Sequence, residues 1–145
     1  MADKLRLRIV TREGVKLDDE CDMVVARCST GDMGVLPRHA ECSAVLDYGA
    51  LRVINDGTER KIAVFAGVMQ IKDDVVTILT NEAQFPEDID RARADADLDY
   101  FSLRVQEEED DVELQKHQAK IRRTLVRIEV SSYPLINPSD KAGGA

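Results

Sequence analysis

Four cations, Lys116, Lys120, Arg123 and Arg127, stand four, three and four residues apart in a chain of 145. On a helix that spacing aligns them in one stripe. A basic stripe suits phosphates or carboxylates, onto which guanidinium groups fork their hydrogen bonds. Equally, it makes a solvated face opposite Leu114 and Ile121. A second candidate is segment 31–40, Gly-Asp-Met-Gly-Val-Leu-Pro-Arg-His-Ala, whose glycines and proline bend the chain sharply near His39. By chemistry alone His39 is a hydrogen-bonded turn histidine rather than a proton carrier. Cysteines at 21, 28 and 42 form no C-x-x-C pair, and His39 and His117 lie far apart, so free thiols are expected and no metal site. No nucleophile with a base and no glycine loop before Lys-Ser or Lys-Thr is present, which argues against an enzyme.

Charge narrows the partners. Twenty basic against 28 acidic residues leave −8, which excludes an extended electrostatic grip on nucleic acid or an anionic membrane. A hydrophobic content of 43% is enough for a folded core. The longest apolar run, 62–71, is half of the roughly 20 residues a membrane helix needs, so no span or direct lipid anchor is expected. The opening MADKLRLRIV has no apolar signal core, so a cytoplasmic protein is expected.

The elements that must position these residues fall into two textures. Up to about Phe85 short strands alternate with turns: Leu5, Leu7 and Ile9 interleave with Arg6 and Arg8, and further strands are predicted at 23–27, 42–47, 51–54, 60–66, 68–72 and 75–79. Breaks are expected at Gly49, Asn55-Asp56-Gly57, Gly67 and Asp73-Asp74, the second of them a tight hairpin. From Pro86 onward the pattern is helical, with Pro86, Glu87 and Asp88 in a first turn. Two apolar stripes are predicted on the first helix, Ala92-Ala96-Tyr100-Leu103 after Ile89, and Ala94-Leu98-Phe101-Val105. After the acidic run 107–111, Leu114, Gln118, Ile121, Leu125 and Ile128 resume a stripe on a second helix. The expected fold is an all-β N-terminal sandwich, 1–85, followed by a C-terminal antiparallel two-helix hairpin, 86–133, and a flexible tail, 134–145. So short a hairpin buries too little to stand alone, which suggests a rigid platform with a movable arm.

Segment 31–40, the opening Leu-Arg-Ile-Val-Thr-Arg-Glu-Gly-Val, Gly49-Ala50-Leu51-Arg52-Val53, Ala66-Gly67-Val68, the run 75–80 and the run 88–94 occur in an order and spacing that resemble the epsilon subunits of F-type ATP synthases, bacterial type. The resemblance covers about residues 3 to 130. It implies a non-catalytic central-stalk subunit on the cytoplasmic face of the bacterial inner membrane, coupling the gamma subunit to the c-ring loops. Asp32 and Met33 would then look toward the c ring, and His39 would lie at the rotor interface. It also implies an arm whose cations Lys116, Lys120, Arg123 and Arg127 meet a beta subunit when extended and block hydrolysis.

In nucleotide-binding members of that family a motif at the start of the first helix matches Ile89, Asp90, Arg93 and Ala94, and arginines on the second helix match Arg123 and Arg127. This implies no required cofactor but a regulatory ATP, and an ATP-sensing hairpin is the alternative function. Two positions depart: Tyr100 stands where those members have an arginine, and Gln84 where they have an acid. The plain reading of Asp90 is an anion at a helix N-terminus, and that of Arg93 a salt bridge to Asp90 or Asp97. A free-standing adaptor outside the synthase is a third possibility.

Overall fold

A computed structural model describes residues 3–132; the expected tail, 134–145, and Tyr133 lie outside them. Eight strands come first: β1 (Leu5–Thr11), β2 (Gly14–Cys21), β3 (Met23–Cys28), β4 (Gly31–Val35), β5 (Cys42–Asn55), β6 (Thr58–Lys72), β7 (Val75–Leu79) and β8 (Ala83–Gln84). They join in the order β2-β1-β7-β6-β5-β3-β4, with β8 on β6. Pairing is antiparallel except between β1 and β7. Alternation decides which faces turn inward: Leu5, Leu7 and Ile9 of β1 and Val76 and Ile78 of β7 are fully buried, while their neighbours reach the surface. The sandwich core they build with Val24, Leu51, Ile62, Met69 and Ile71 is continuous.

Gly49 and Gly67 do not end strands. Both lie inside long ones, and the hairpin of β5 and β6 runs from Cys42↔Ile71 to Asn55↔Thr58. At Ala66 and Gly67 the backbone takes φ of 64° and 142°, and the ladder skips between Leu46↔Gly67 and Tyr48↔Phe65. The register is the same on both sides of this one unpaired position, so the strand bends there without ending. Beyond the bend β6 pairs with β7; before it, with β8. Segment 14–21 is a strand that the acidic run Asp18-Asp19-Glu20 conceals; Arg6 and Arg8 of β1 face Asp18 across the pair, the former at 2.8 Å. Segment 31–40 is likewise only partly a loop, since 31–35 form β4 on the sheet edge.

Helix α1 (Arg91–Glu107) starts later than Pro86, because Pro86–Asp88 form a separate 3-10 turn that ends at extended Ile89. Asp90 is the cap, its carboxylate accepting the Arg93 amide. Helix α2 (Asp111–Ser131) begins the same way on Asp110, which accepts from the amides of Val112 and Glu113. Of the two stripes on α1, the one with Ala94, Leu98, Phe101 and Val105 faces inward and the one with Tyr100 and Leu103 faces solvent. On α2 the buried residues are Thr124, Val126 and Val130 rather than Leu125, because this helix must pack on both α1 and the sandwich. Val126 and Val130 join Ala50, Ala63 and Phe65 in a second, small apolar cluster against which Tyr48 and Ile89 pack.

Candidate functional site

The arginines of α2 are held by the sandwich. Arg127 lies over the ring of Phe65, 4.9 Å from its centroid; Arg123 stands 5.6 Å from the centroids of both Phe65 and Tyr48, and Arg122 5.1 Å from that of Tyr48. The two rings meet edge to face. A guanidinium over an aromatic face is attracted by the ring quadrupole. Glu82, just before β8, stands 3.6 Å from both Arg123 and Arg127, and Gln84 accepts from Arg127 Nε at 2.8 Å. Lys61, nearly buried on β6, reaches Glu129 at 3.5 Å. Arg122 escaped the sequence pattern because it lies one residue off the stripe; the Arg-Arg doublet was the available signal.

The expected stripe therefore divides. Lys116 pairs with Glu113 at 3.1 Å near the hairpin tip, and Lys120 sits 5.1 Å from the Phe101 ring of α1, while Arg123 and Arg127 turn to the sandwich. Five of the six residues matched to nucleotide binding, Ile89, Asp90, Arg93, Ala94 and Arg127, line one cleft of about 300 Å³ with Gln84, Asp88 and Asp97. Arg123 is not part of its wall. Arg93 has no ion-pair partner among the described residues, whereas Asp90 is engaged as a cap. Three carboxylates against two guanidinium groups leave the wall acidic, which opposes a polyanion. Tyr100 points away from the cleft, its hydroxyl accepting from Arg104 at 3.2 Å.

Asp32 lies within β4 and His39 beyond its end. Asp32, near its start, faces Arg27 at 3.6 Å on the surface, while Met33 packs against the core. His39 follows the strand in a loop where its Nδ1 meets the Ala40 carbonyl at 2.8 Å and its amide donates to Leu36 at 3.2 Å. Arg38 pins this loop, its amide on Asp74 and its side chain on Asp3, at φ 69°. Burial pushes the Cys21 thiol up to about 11 and raises Cys28 as well. Among the described residues no group of three metal-binding side chains occurs, and no helix is long and apolar enough to cross a membrane.

The outer face of the sandwich carries an apolar band. Val15, Val10, Leu79, Val68 and Val45 are successive cross-strand partners over β2, β1, β7, β6 and β5, all on the outer face. Four of them are 44–60% exposed. The next outward row, Arg8, Thr77, Gln70 and Ser43, is polar. An exposed apolar band of this kind is a candidate docking surface. Its signal in the sequence was a valine or leucine at outward strand positions, visible only once register is known.

The family model for the ATP synthase delta/epsilon chain beta-sandwich domain matches residues 4–86. The ATP synthase epsilon chain of Bacillus licheniformis is 33% identical over 127 residues, 88% of this chain and 97% of its own length. That of Syntrophobacter fumaroxidans is 36% identical over 131 residues, 90% and 98% of the two chains. Among solved structures, a chain of the Euglena gracilis mitochondrial ATP synthase with its c-ring superposes with TM-score 0.79 at 22% identity, over 90% of this chain and 82% of that one.

Proposed function

The chain belongs to the epsilon-chain family of the ATP synthases, and on that premise we propose that it is a non-catalytic central-stalk subunit whose sandwich couples the gamma subunit to the c-ring loops and whose helical arm inhibits ATP hydrolysis. The observation that carries the arm's role is the separation of its small cluster, Ala50, Ala63, Phe65, Val126 and Val130, from the sandwich core. An arm held by so few apolar contacts and by guanidinium groups on two rings is able to leave without unfolding its platform. Once it extends, Lys116, Lys120, Arg123 and Arg127 are released toward an acidic segment of a beta subunit.

The platform, 1–85, offers the apolar band to gamma, with His39 at the same rotor interface, and Asp32 and Met33 to the polar c-ring loops. The domains are thus a sandwich, a regulatory hairpin over 86–133 and a terminal tail. Attachment through these partners would keep the chain peripheral, on the cytoplasmic face of a bacterial inner membrane.

Adding the full chain, or one ending at Phe85, to an epsilon-depleted catalytic head tests both halves. Both should bind, and only the full chain should slow hydrolysis. If neither binds, the platform assignment fails; if both bind and neither slows the enzyme, the arm is not an inhibitor.

A second reading, an ATP-sensing hairpin, draws on the gathering of Ile89, Asp90, Arg93, Ala94 and Arg127 around one cleft. ATP bound there, with Arg123 alongside, would favour the folded arm and disfavour inhibition. Titration should show ATP bound in preference to ADP, and Arg93→Ala should abolish binding while keeping the fold. An equal response to ATP and ADP sinks this reading.

A further inference from the structure

We propose that Glu82 is a resident counter-ion for Arg123 and Arg127, whose carboxylate takes the place of an external polyphosphate oxygen and holds the arm down without ligand. Its two oxygens divide between the arginines, Oε2 to Arg123 and Oε1 to Arg127, each at 3.6 Å. The carboxylate is carried on a fixed stem. The Glu82 carbonyl accepts from the Phe65 amide at 3.2 Å, and the buried Thr80 hydroxyl, which donates to the nearer Ala66 carbonyl at 2.5 Å, takes the Glu82 amide at 3.4 Å. The ring beneath both guanidinium groups, Phe65, is thus tied through its own backbone to the residue that supplies their anion. Sandwich, ring and carboxylate are one preformed receptor for the arm.

The consequence is competition. An anionic ligand seeking these arginines must displace Glu82 or share them with it, and Asp88, Asp90 and Asp97 line the neighbouring cleft. Glu82 therefore lowers affinity for polyphosphates while stabilising the folded arm. The proposal rests on the reading above that the folded arm is a distinct functional state.

Hydrogen exchange of the full chain without nucleotide tests it. Glu82→Gln should lower protection on α2 by about threefold to tenfold, as expected for two part-exposed ion pairs, and leave β1 and β7 unchanged. At about 1 M salt, where charges are screened beyond about 3 Å, wild-type protection should fall toward that of the variant. Equal protection in the two chains, or a gap that salt leaves intact, overturns the proposal. Inorganic tripolyphosphate and magnesium-free ATP, added separately, should each protect α2 more in Glu82→Gln than in wild type, and a gain with ATP alone assigns the nucleoside a part. Anion protection as strong in the wild type overturns the displacement. If neither anion protects either chain the nucleotide reading falls, while the salt-sensitive gap still decides the role of Glu82.

Discussion

The guanidinium of Arg127 lies 4.9 Å from the centroid of Phe65, a ring that is almost fully buried beneath it. The arm thus rests on a desolvated aromatic face, the setting in which such a contact is worth most, up to about 2 kcal/mol.

Phe65→Leu should keep the sandwich folded and loosen the arm by about 1–2 kcal/mol, since an aliphatic side chain fills the site without a quadrupole. Exchange protection should drop on α2 and persist on β1 and β7. In the assembled enzyme the extended arm should be more populated and hydrolysis slower, which a rate measurement on the reconstituted head checks.

At Gly67 the platform itself is at stake. A Cβ there would lie 2.1 Å from the Leu79 carbonyl oxygen, at a φ of 142° that side chains rarely adopt. Gly67→Ala should cost about 3 kcal/mol through strain at the bend of β6, read as a lower urea midpoint.

Much of this was legible in the sequence. Alternation at Leu5, Leu7 and Ile9 revealed β1, and the Asn55-Asp56-Gly57 turn fell where predicted, because both are local signals. Gly49 and Gly67 misled, since a glycine required by a close approach looks the same in sequence as one that ends a strand. At Gly49 an added Cβ would meet Arg27 at 2.7 Å, a contact made by another strand. The divided fate of the cation stripe was equally hidden. Lys120 and Arg127 share a helical face, but a helix packed on two neighbours presents that face to α1 at one end and to the sandwich at the other.

Thiol chemistry should separate the cysteines. Burial disfavours the thiolate of Cys21, raised to about 11, and of Cys28, whereas Cys42 is half-buried. At pH 8 a thiol-specific disulfide reagent should modify Cys42 first, and the other two only on unfolding, as peptide mapping of the labelled chain would show.

Acid should weaken a contact between the chain's start and the β5–β6 hairpin. Lys4 meets Asp22 at 2.7 Å and Asp56 at 2.8 Å, and the Lys4 hydrogen bond holds the Asp22 carboxyl below its usual range. Its contribution is present above the unfolded aspartate value of about 3.9 and is lost as pH falls through the lower folded value. The partner effect on Lys4, raised to about 12, is present below the unfolded lysine value and lost only as pH rises through that figure. Urea midpoints between about pH 5 and pH 2 should fall less steeply for Asp22→Asn than for wild type.

The apolar band offers the sharpest test of the platform. Val45 and Val68 are direct cross-strand partners at its β5 end, both exposed, and neither belongs to the sandwich core. Substituting both by lysine should lower the urea midpoint only slightly, by the repulsion of two like charges directly opposite on an exposed face, worth at most about 1 kcal/mol. A buried interface tolerates charge poorly: two unpaired ammonium groups within it should weaken binding to gamma by at least about tenfold. Ser43→Lys, in the polar row alongside, is the control and should bind as wild type does. If the double variant folds and binds gamma with unchanged affinity, the band is not the rotor-facing surface, and gamma docks on another face of the sandwich.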